Sequence, residues 1–406
     1  MKTNKTIVCG FLAAIFVLTL AALSLTGCPD GGNGNNNGGG NSDVYIAGGY
    51  HNAATETATP CYWKNGVRTD LSFPAGTDCW AFGIAVNSNG DVYISGEYES
   101  GDRDEGTSTS TACYWKNGVR TDLSRSDETE SSGWPNSIAV SSNGDVYVLG
   151  NYSIYDEDSD WGYTSTACYW KNGIRTDLDL SVPNGTYGDE EGIAVSSNGD
   201  VYISGGYSSG DRDEGTYTFT PCYWKNGVRT DLSFPNGADG FVGDEHGDSI
   251  AVNSKGDVYV VGNYETGGYY DEDGYWRTTS TDCYWKNGVR TDLSFPAGTD
   301  GWASGLDVSS NNDCYISGAW YNATTGTGRY CYWKNGVRTD MPLFPAGKEM
   351  GGELCGIAVS SNGDVYVLGN YETDYAFTAC YWKNGVISDL SVPAGTDSSA
   401  YGIAAR

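Results

Sequence analysis

After residue 42 the chain repeats the same three phrases seven times, and this repetition limits the fold more than any other feature. CYWKNG, DVY or DCY, and an IAV-like triplet each occur seven times. Residues 43–406 number 364, or 52 per unit. One such unit cannot bury its own apolar face, so neighbouring units must pack together. The CYWKNG phrases begin at Cys61, Cys113, Cys168, Cys222, Cys283, Cys331 and Cys380.

Each unit contains four short segments rich in β-branched and aromatic residues, which we name strands a to d. In the second unit these segments are residues 84–86, 91–98, 112–116 and 119–123. Asn-Gly pairs at 89–90 and 117–118 are two-residue hairpin signals. Four strands in about 50 residues are typical of a β-propeller blade. We therefore predict an all-β fold, a seven-bladed β-propeller of four-stranded antiparallel blades.

The two ends of the repeat region predict how the ring closes. The chain enters at a strand b, residues 43–46, and leaves at a strand a, residues 402–405. One blade must then combine three N-terminal strands with one C-terminal strand, and this pairing removes the open edges of the ring. The marks of the WD40 and kelch subclasses are absent or sporadic. The phrase CYWKNGVRTDL resembles repeats in other bacterial exported proteins of unknown role.

The first 42 residues resemble the export and anchoring segment of a bacterial lipoprotein. Lys2 and Lys5 precede an apolar run over residues 7–25, and Leu25-Thr26-Gly27-Cys28 resembles a lipobox. The resemblance implies cleavage after residue 27 and a mature Cys28 that carries a diacylglyceryl group and an amide-linked acyl chain such as palmitate. An uncleaved membrane helix is the alternative that the lipobox argues against. We expect an exported protein, anchored through Cys28 on the periplasmic side or at the cell surface.

Residues 28–42 form a Gly/Asn-rich tether, and residues 43–406 form the propeller domain. The tether has one proline and no other apolar side chain after Cys28. Such a tract behaves as a flexible linker with a reach of roughly 20 Å.

The composition excludes one class of partner. Acidic residues outnumber basic ones by 52 to 23, a net charge of −29. Nucleic-acid binding needs clustered Lys and Arg, so we expect no nucleic-acid partner. Thirteen of the basic residues lie in the repeated KNGVR phrase, whereas four b–c loops are rich in Asp and Glu. These loops predict either an anionic surface that attracts cations or basic proteins, or only a well-solvated one.

The variable segments indicate where a ligand binds. The a–b and c–d turns are short and nearly identical in all units, whereas the b–c and d–a loops vary in length and content. Binding residues usually lie on variable loops of a fixed scaffold. We therefore expect a monomeric binding module that takes a protein or glycan ligand on its b–c and d–a loop face.

Aromatic and acidic residues precede strand a, at the predicted mouth of the central channel. Three tryptophans could stack on a sugar or clamp a peptide side chain. The alternative is a mouth filled by packing aromatics. Ser399 and Tyr401 occupy matching positions in the last unit. The predicted ligand-binding residues are Trp80, Trp134, Trp302, Asp189, Glu191, His246, Asp248 and Glu353.

Enzyme activity is the runner-up function. Asp189, Glu191, His246 and Asp248 form the only acid–base or metal cluster that the sequence predicts. No nucleophile accompanies them, so we expect no enzyme. The alternative is a propeller enzyme that acts on a glycan or small ligand at the channel mouth, with or without calcium.

A calcium site is a second open question, and no other cofactor is expected. Asp156, Asp158 and Asp160 have the spacing of the first EF-hand ligands. Trp161 stands where that loop needs glycine, and Ala167 where it needs a bidentate glutamate. The EF-hand interpretation therefore fails. A looser Ca²⁺ site shared by adjacent acidic loops remains as the alternative to solvated loops.

The repeated Cys, Tyr and Trp residues are predicted to be structural. Equivalent thiols in separate blades should lie too far apart for a disulfide, which needs Cα atoms within about 7 Å. Cys79, Cys314 and Cys355 fall outside the phrase, and the sequence does not fix their redox state.

Overall fold

The structure, a computed structural model, describes most of the repeat region. The described residues are 42–55, 57–101, 108–123, 130–155, 163–178, 188–210, 218–243, 248–270, 276–345, 348–351, 356–373 and 376–406. Cys28 and the predicted signal peptide lie outside them. Within the described part of the chain, no helix has the length and apolar character needed to cross a bilayer.

The described residues form 30 β-strands. In chain order they are β1 (Val44–Asn52), β2 (Thr57–Lys64), β3 (Val67–Asp70), β4 (Asp78–Val86), β5 (Val92–Ser100), β6 (Thr109–Lys116), β7 (Val119–Asp122), β8 (Glu130–Val140), β9 (Val146–Tyr155), β10 (Tyr163–Lys171), β11 (Ile174–Asp177), β12 (Gly188–Val195), β13 (Val201–Ser209), β14 (Thr218–Lys225), β15 (Val228–Asp231), β16 (Asp239–Val242), β17 (Ile250–Val252), β18 (Val258–Tyr270), β19 (Trp276–Lys286), β20 (Val289–Asp292), β21 (Asp300–Val308), β22 (Cys314–Asn322), β23 (Thr327–Lys334), β24 (Val337–Asp340), β25 (Glu349–Met350), β26 (Gly356–Val359), β27 (Val365–Thr373), β28 (Ala376–Lys383), β29 (Val386–Asp389) and β30 (Asp397–Ala405).

The strands form seven antiparallel sheets, which confirms the predicted all-β propeller. Blade 1 has the strand order β30-β1-β2-β3, and blades 2, 3, 4 and 6 are β4–β7, β8–β11, β12–β15 and β21–β24. In blade 5 the inner strand is divided into β16 and β17, which both pair with β18. In blade 7 it is divided into β25 and β26, which both pair with β27. Each blade therefore has the predicted order a-b-c-d.

The inner strands close a ring. Contacts between consecutive blades run from β30 to β4, β8, β12, β17, β21 and β26 and return to β30. The predicted clasp is confirmed: β30 pairs with β1, from Val44 opposite Ala405 to His51 opposite Asp397. Strand a is innermost, as expected from its short apolar triplet.

The c–d turns show why Asn-Gly recurs in every unit. Asn65 and Gly66 both have positive φ, 53° and 79°. A tight type I′ hairpin requires this conformation at both central residues, and Asn and Gly adopt it at the lowest cost. The same pair of positive φ angles occurs in all seven blades.

The core consists of layers between blades, and the repeated tryptophan is central to each layer. All seven CYWKNG tryptophans are buried. The Trp115 indole N–H of blade 2 donates to the carbonyl of Ser72, at the end of blade 1, at 2.7 Å. Trp63 and Trp285 make the same bond to Ser391 and Ser233. The structural interpretation of these tryptophans is therefore correct.

Each blade also repeats two ion pairs. Lys64 of strand c bonds Asp43 and lies over the Tyr45 ring, and Arg68 of strand d bonds Asp70. In blade 4 the equivalent hydrogen bond from Lys225 lowers the pKa of Asp200 to about 2. The described residues contain 14 such pairs, which engage 14 of the 23 Lys and Arg residues of the chain.

Blade 7 keeps the second ion pair by a different route. Ile387 replaces the arginine of strand d. Lys348, from the loop that enters this blade, bonds Asp389 at 2.9 Å and lies 3.8 Å from the centre of the Tyr371 ring. The same charge and cation–π contact are thus supplied by a residue distant in sequence.

The described repeat cysteines are free, buried thiols. Cys79 and Cys314 are also free and buried, in blades 2 and 6. Burial raises the pKa of each of these two thiols to about 12. Because the thiolate is the reactive form, burial disfavours reaction at both thiols. Cys355 lies outside the described residues.

Candidate functional site

The three predicted tryptophans occupy one equivalent position on the inner strands of blades 2, 3 and 6. Trp80, Trp134 and Trp302 each pair with the residue that follows the strand b glycine. These partners are Glu97, Asn151 and Ala319. Trp302 packs against the core between blades 6 and 7, whereas the Trp134 side chain is 38% exposed. The three tryptophans thus share a position but differ in accessibility.

A β-bulge sets this position. The register of β4 against β5 shifts between Ala81 and Ile84. A Cβ on Gly96 would collide with the main-chain carbonyl of Trp80, so only glycine permits the approach of the two strands. The bulge therefore holds Trp80 at the loop-face end of its strand.

In blade 5 the residue at this position is Phe241. The sequence prediction, which counted back from strand a, placed His246 there. Phe241 pairs with Asn263, the residue after the strand b glycine, and its ring stacks on Phe219 of blade 4 at 5.1 Å. Residues 243–249 separate β16 from β17, so this longer insertion shifted the sequence alignment. His246 lies outside the described residues.

Blade 1 has small residues at two registers, of which the first is aromatic in blades 2, 3, 5 and 6 and the second in blades 4 and 7. Ser399 pairs with Gly49, at the register of Trp80. Ala58 pairs with His51, at the register where blade 4 has Phe219. In blade 4 the Phe219 ring fills the space over Gly206, the counterpart of Gly49. Nothing comparable fills the corresponding space among the described residues of blade 1.

A recess of about 100 Å³ results between blades 1 and 2. Gly49, Ala58 and Ser399 line it together with Cys79 and Ala81 of blade 2. His51, Asp397 and Tyr401 supply its functional groups, and Tyr50 and Trp80 also line it. His51 lies on β1 and pairs with Asp397 of β30. The recess thus combines an aromatic ring, a carboxylate and an imidazole.

Aromatic residues continue from the recess along the inner strands. The Tyr401 ring of blade 1 meets the Phe82 ring of blade 2 edge to face, at 6.0 Å. The next inner strand, β8, contacts β4 and carries Trp134. Three consecutive blades therefore present aromatic side chains near this end of their inner strands.

Asp248 of blade 5 forms a hydrogen bond with blade 3, across the intervening blade 4. Its Oδ1 accepts a hydrogen bond from Ser137 Oγ at 3.1 Å, although blade 4 lies between blades 3 and 5. This contact places the carboxyl in the central channel. Asp248 is open to water in the channel, but protein atoms lie on all sides of it. The resulting desolvation raises the pKa of its carboxyl to about 6. The Ser137 bond opposes the shift, and the nearby Asp307 charge adds to it.

Asp307 is a channel carboxylate that we did not predict. It stands in strand a of blade 6, where the other six units have Ala. Its Oδ2 accepts the Val359 N–H of blade 7 at 2.8 Å, and Oδ1 accepts the Val308 N–H at 2.7 Å. Desolvation raises its pKa, against these two bonds. Asp307 could have been identified from the sequence, because it breaks the pattern of alanine at this position.

We expect Asp248→Asn to remove a pH dependence of stability. A folded-state pKa of about 6, above the ordinary 3.8, favours the protonated form on folding. That stabilisation is complete below about pH 4 and is lost as the pH rises through 6. Because water screens the group, we expect the variant to be more stable than wild type by about 1 kcal/mol at pH 8.

Urea unfolding near pH 4 and pH 8 measures this effect. Near pH 4 the two proteins should have about the same stability, since both then carry a neutral side chain. An identical difference at the two pH values would show that Asp248 does not titrate as described.

The remaining predicted acids have separate environments. Glu191 is half-buried, and its side chain lies against Gly243 of blade 5. The neighbouring Glu190, which the prediction missed, is buried and accepts a 3.2 Å hydrogen bond from the Asn151 amide. Only the backbone of Asp189 is described, opposite Gly206.

Other predicted sites fall outside the described residues: Glu353, and the calcium candidates Asp156, Asp158 and Asp160. Within the described ranges, no group of three or more His, Cys, Asp or Glu side chains is arranged to hold a metal ion.

No family model and no curated protein matches the chain. Among solved structures, it is similar to an ulvan lyase of polysaccharide lyase family PL25, with 10% identity and a TM-score of 0.44 over 80% of this chain and 96% of that chain. It is also similar to polysaccharide lyase Uly1, with 12% identity and a TM-score of 0.46 over 86% and 88% of the two chains.

A mannose phosphorylase from Leishmania mexicana shows 13% identity and a TM-score of 0.33, over 61% of this chain and 82% of that chain. Likeness at these levels concerns the architecture and assigns no activity.

Proposed function

We propose that this protein is a binding module that holds a sugar residue in the recess between blades 1 and 2. One observation carries the proposal: Ser399, Gly49 and Ala58 open a space that bulkier side chains fill at corresponding places in other blades. The recess lies on the b–c and d–a loop face, where variable loops predicted binding.

The lining suits the chemistry of a sugar. The C–H face of a sugar ring packs on aromatic surfaces such as the ring of Tyr401. The Asp397 carboxylate accepts hydrogen bonds from hydroxyl groups, and His51 can donate or accept them. A concave site with aromatic walls and a few polar groups is the usual form of a small-ligand site.

Filling the recess should abolish binding. We expect Ser399→Trp, which introduces the residue of blades 2, 3 and 6, to weaken binding of a neutral monosaccharide panel at least about tenfold. Isothermal titration of the full chain with glucose, mannose and galactose measures this. Trp302→Ser makes the reverse exchange in blade 6 and should leave the affinity unchanged.

A sugar that binds Ser399→Trp as tightly as wild type would contradict the proposed site. A loss of binding in Trp302→Ser alone would place the site in blade 6 instead. Thermal melting of both variants separates lost binding from lost folding.

We further propose that the module works at the bacterial envelope, anchored through Cys28. The lipobox-like sequence supports this location. Mass spectrometry of the mature protein tests it, and an unmodified Cys28 would refute it.

A glycan-directed enzyme is the second candidate, and the pKa of Asp248 near 6 is the observation that favours it. Such a pKa suits a general acid or base near neutral pH. Turnover of a bound oligosaccharide that is lost in Asp248→Asn, with binding retained, would establish the enzyme. Bound oligosaccharide recovered intact from wild type would support the binding module.

A further inference from the structure

We infer that the ligand is an uncharged oligosaccharide chain, with one unit in the recess and later units lying over Trp134. This inference rests on the proposed function and extends it from one sugar unit to a chain. It assigns Trp134 as a platform separate from the recess.

The exposure of Trp134 is the first argument. A tryptophan is rarely left open to water without a use, because its large apolar surface favours burial. Trp134 is 38% exposed, although its counterparts Trp80 and Trp302 are partly covered. Their strand position is the same, so the exposure is specific to blade 3.

Two hydrogen bonds to blade 4 hold the segment around Trp134. The Asn151 amide, opposite Trp134 in the sheet, donates to Glu190 Oε1 at 3.2 Å. The Asn136 amide donates to the main-chain carbonyl of Glu190 at 3.4 Å. Glu190 belongs to blade 4 and is buried. A fixed aromatic ring binds a ligand with less loss of conformational entropy than a mobile one.

The path from the recess to Trp134 is also aromatic. Tyr401 lines the recess and contacts Phe82, which lies on β4. Strand β4 contacts β8, the strand that carries Trp134. A chain that leaves the recess along the inner strands therefore crosses apolar ring surface, on which successive sugar units can stack.

The charges favour a neutral chain. The described residues that line the recess include Asp397 and neither Lys nor Arg. Asp248 and Asp307 lie in the central channel, and the whole chain has a net charge of −29. Uronate or sulfate groups would be repelled by this field.

Chain-length dependence tests the inference. Full-length protein is titrated with gluco-, manno- and galacto-oligosaccharides of one to four units, and with polygalacturonate as the anionic probe. We expect the tetrasaccharide of the preferred series to bind about tenfold more tightly than its monosaccharide. Trp134→Ala should reduce the tetrasaccharide affinity to the monosaccharide level and leave monosaccharide binding unchanged.

The controls distinguish the two claims. Trp302→Ala, at the same strand position, should retain the length dependence. Equal affinity for all lengths, or unchanged tetrasaccharide binding in Trp134→Ala, overturns the platform but leaves the recess standing. Polygalacturonate that binds more tightly than every neutral chain overturns the neutral ligand. Undiminished binding in Ser399→Trp, or no binding by any series, overturns the recess and the platform together.

Discussion

Removing residues 397–406 should prevent the ring from folding. These residues form β30, which supplies the inner strand of blade 1. Its Ala400 and Ile403 are buried, and it contacts both β26 and β4. Truncation would expose the inner edge of β1 and break two interblade layers at once. Because a domain of this kind is stable by only about 5–15 kcal/mol, we expect the loss of cooperative unfolding.

Circular dichroism and urea titration of the truncated chain measure this effect. The matched control, Arg406→Ala, changes an exposed side chain and keeps the main-chain hydrogen bond from residue 406 to Asp43, so it should change the unfolding midpoint little. A chain without β30 that unfolds cooperatively at the wild-type midpoint would show that the clasp is not needed.

Trp115→Ala should be the most destabilising single substitution among those considered, at about 3–5 kcal/mol. The side chain is fully buried between blades 1 and 2, in a cluster with Tyr45, Leu71 and Ile94. Its removal leaves a cavity and also deprives the Ser72 carbonyl of its indole donor. Urea unfolding measures the cost. Val119→Ala, at a 70% exposed position in the same blade, should cost well under about 1 kcal/mol.

A matched pair of Trp→Phe variants separates packing from hydrogen bonding. Trp115 donates to Ser72, whereas the Trp333 indole N–H has no acceptor within the described residues. In blade 6, Arg338 bonds the equivalent carbonyl, Ser294 O, at 2.9 Å. Trp115→Phe should therefore cost about 1 kcal/mol more than Trp333→Phe. Equal costs would show that the indole bond adds nothing to stability.

The architecture was predictable because it is repeated. Seven copies of a phrase average out local ambiguity, and the Asn65-Gly66 turn has the same backbone conformation in all seven blades. The clasp followed from the strand types at the two ends of the chain. These features depend on patterns within one unit or on counting units, and both can be read from a sequence.

The candidate site was only partly predictable, because it depends on differences between blades. Ser399 was aligned with Trp80, but a missing side chain creates a recess only when the neighbouring Gly49 and Ala58 are also small. Counting back from strand a missed Phe241, because residues 243–249 interrupt the inner strand.

Two other features could be identified only from contacts in the three-dimensional structure. The pairing of Lys348 with Asp389 joins the loop before strand a to strand d of the same blade, and the repeated phrases do not predict it. Asp307 broke the alanine pattern of strand a, but only the fold shows that it faces the Val359 N–H of the next blade.

A crystal structure of the protein with the preferred tetrasaccharide bound would test the central claim most directly. We expect density for one sugar unit between His51 and Tyr401, within hydrogen-bond distance of Asp397, and for further units over the Trp134 ring. Density confined to the a–b and c–d turn face, or to a different pair of blades, would contradict the proposed site.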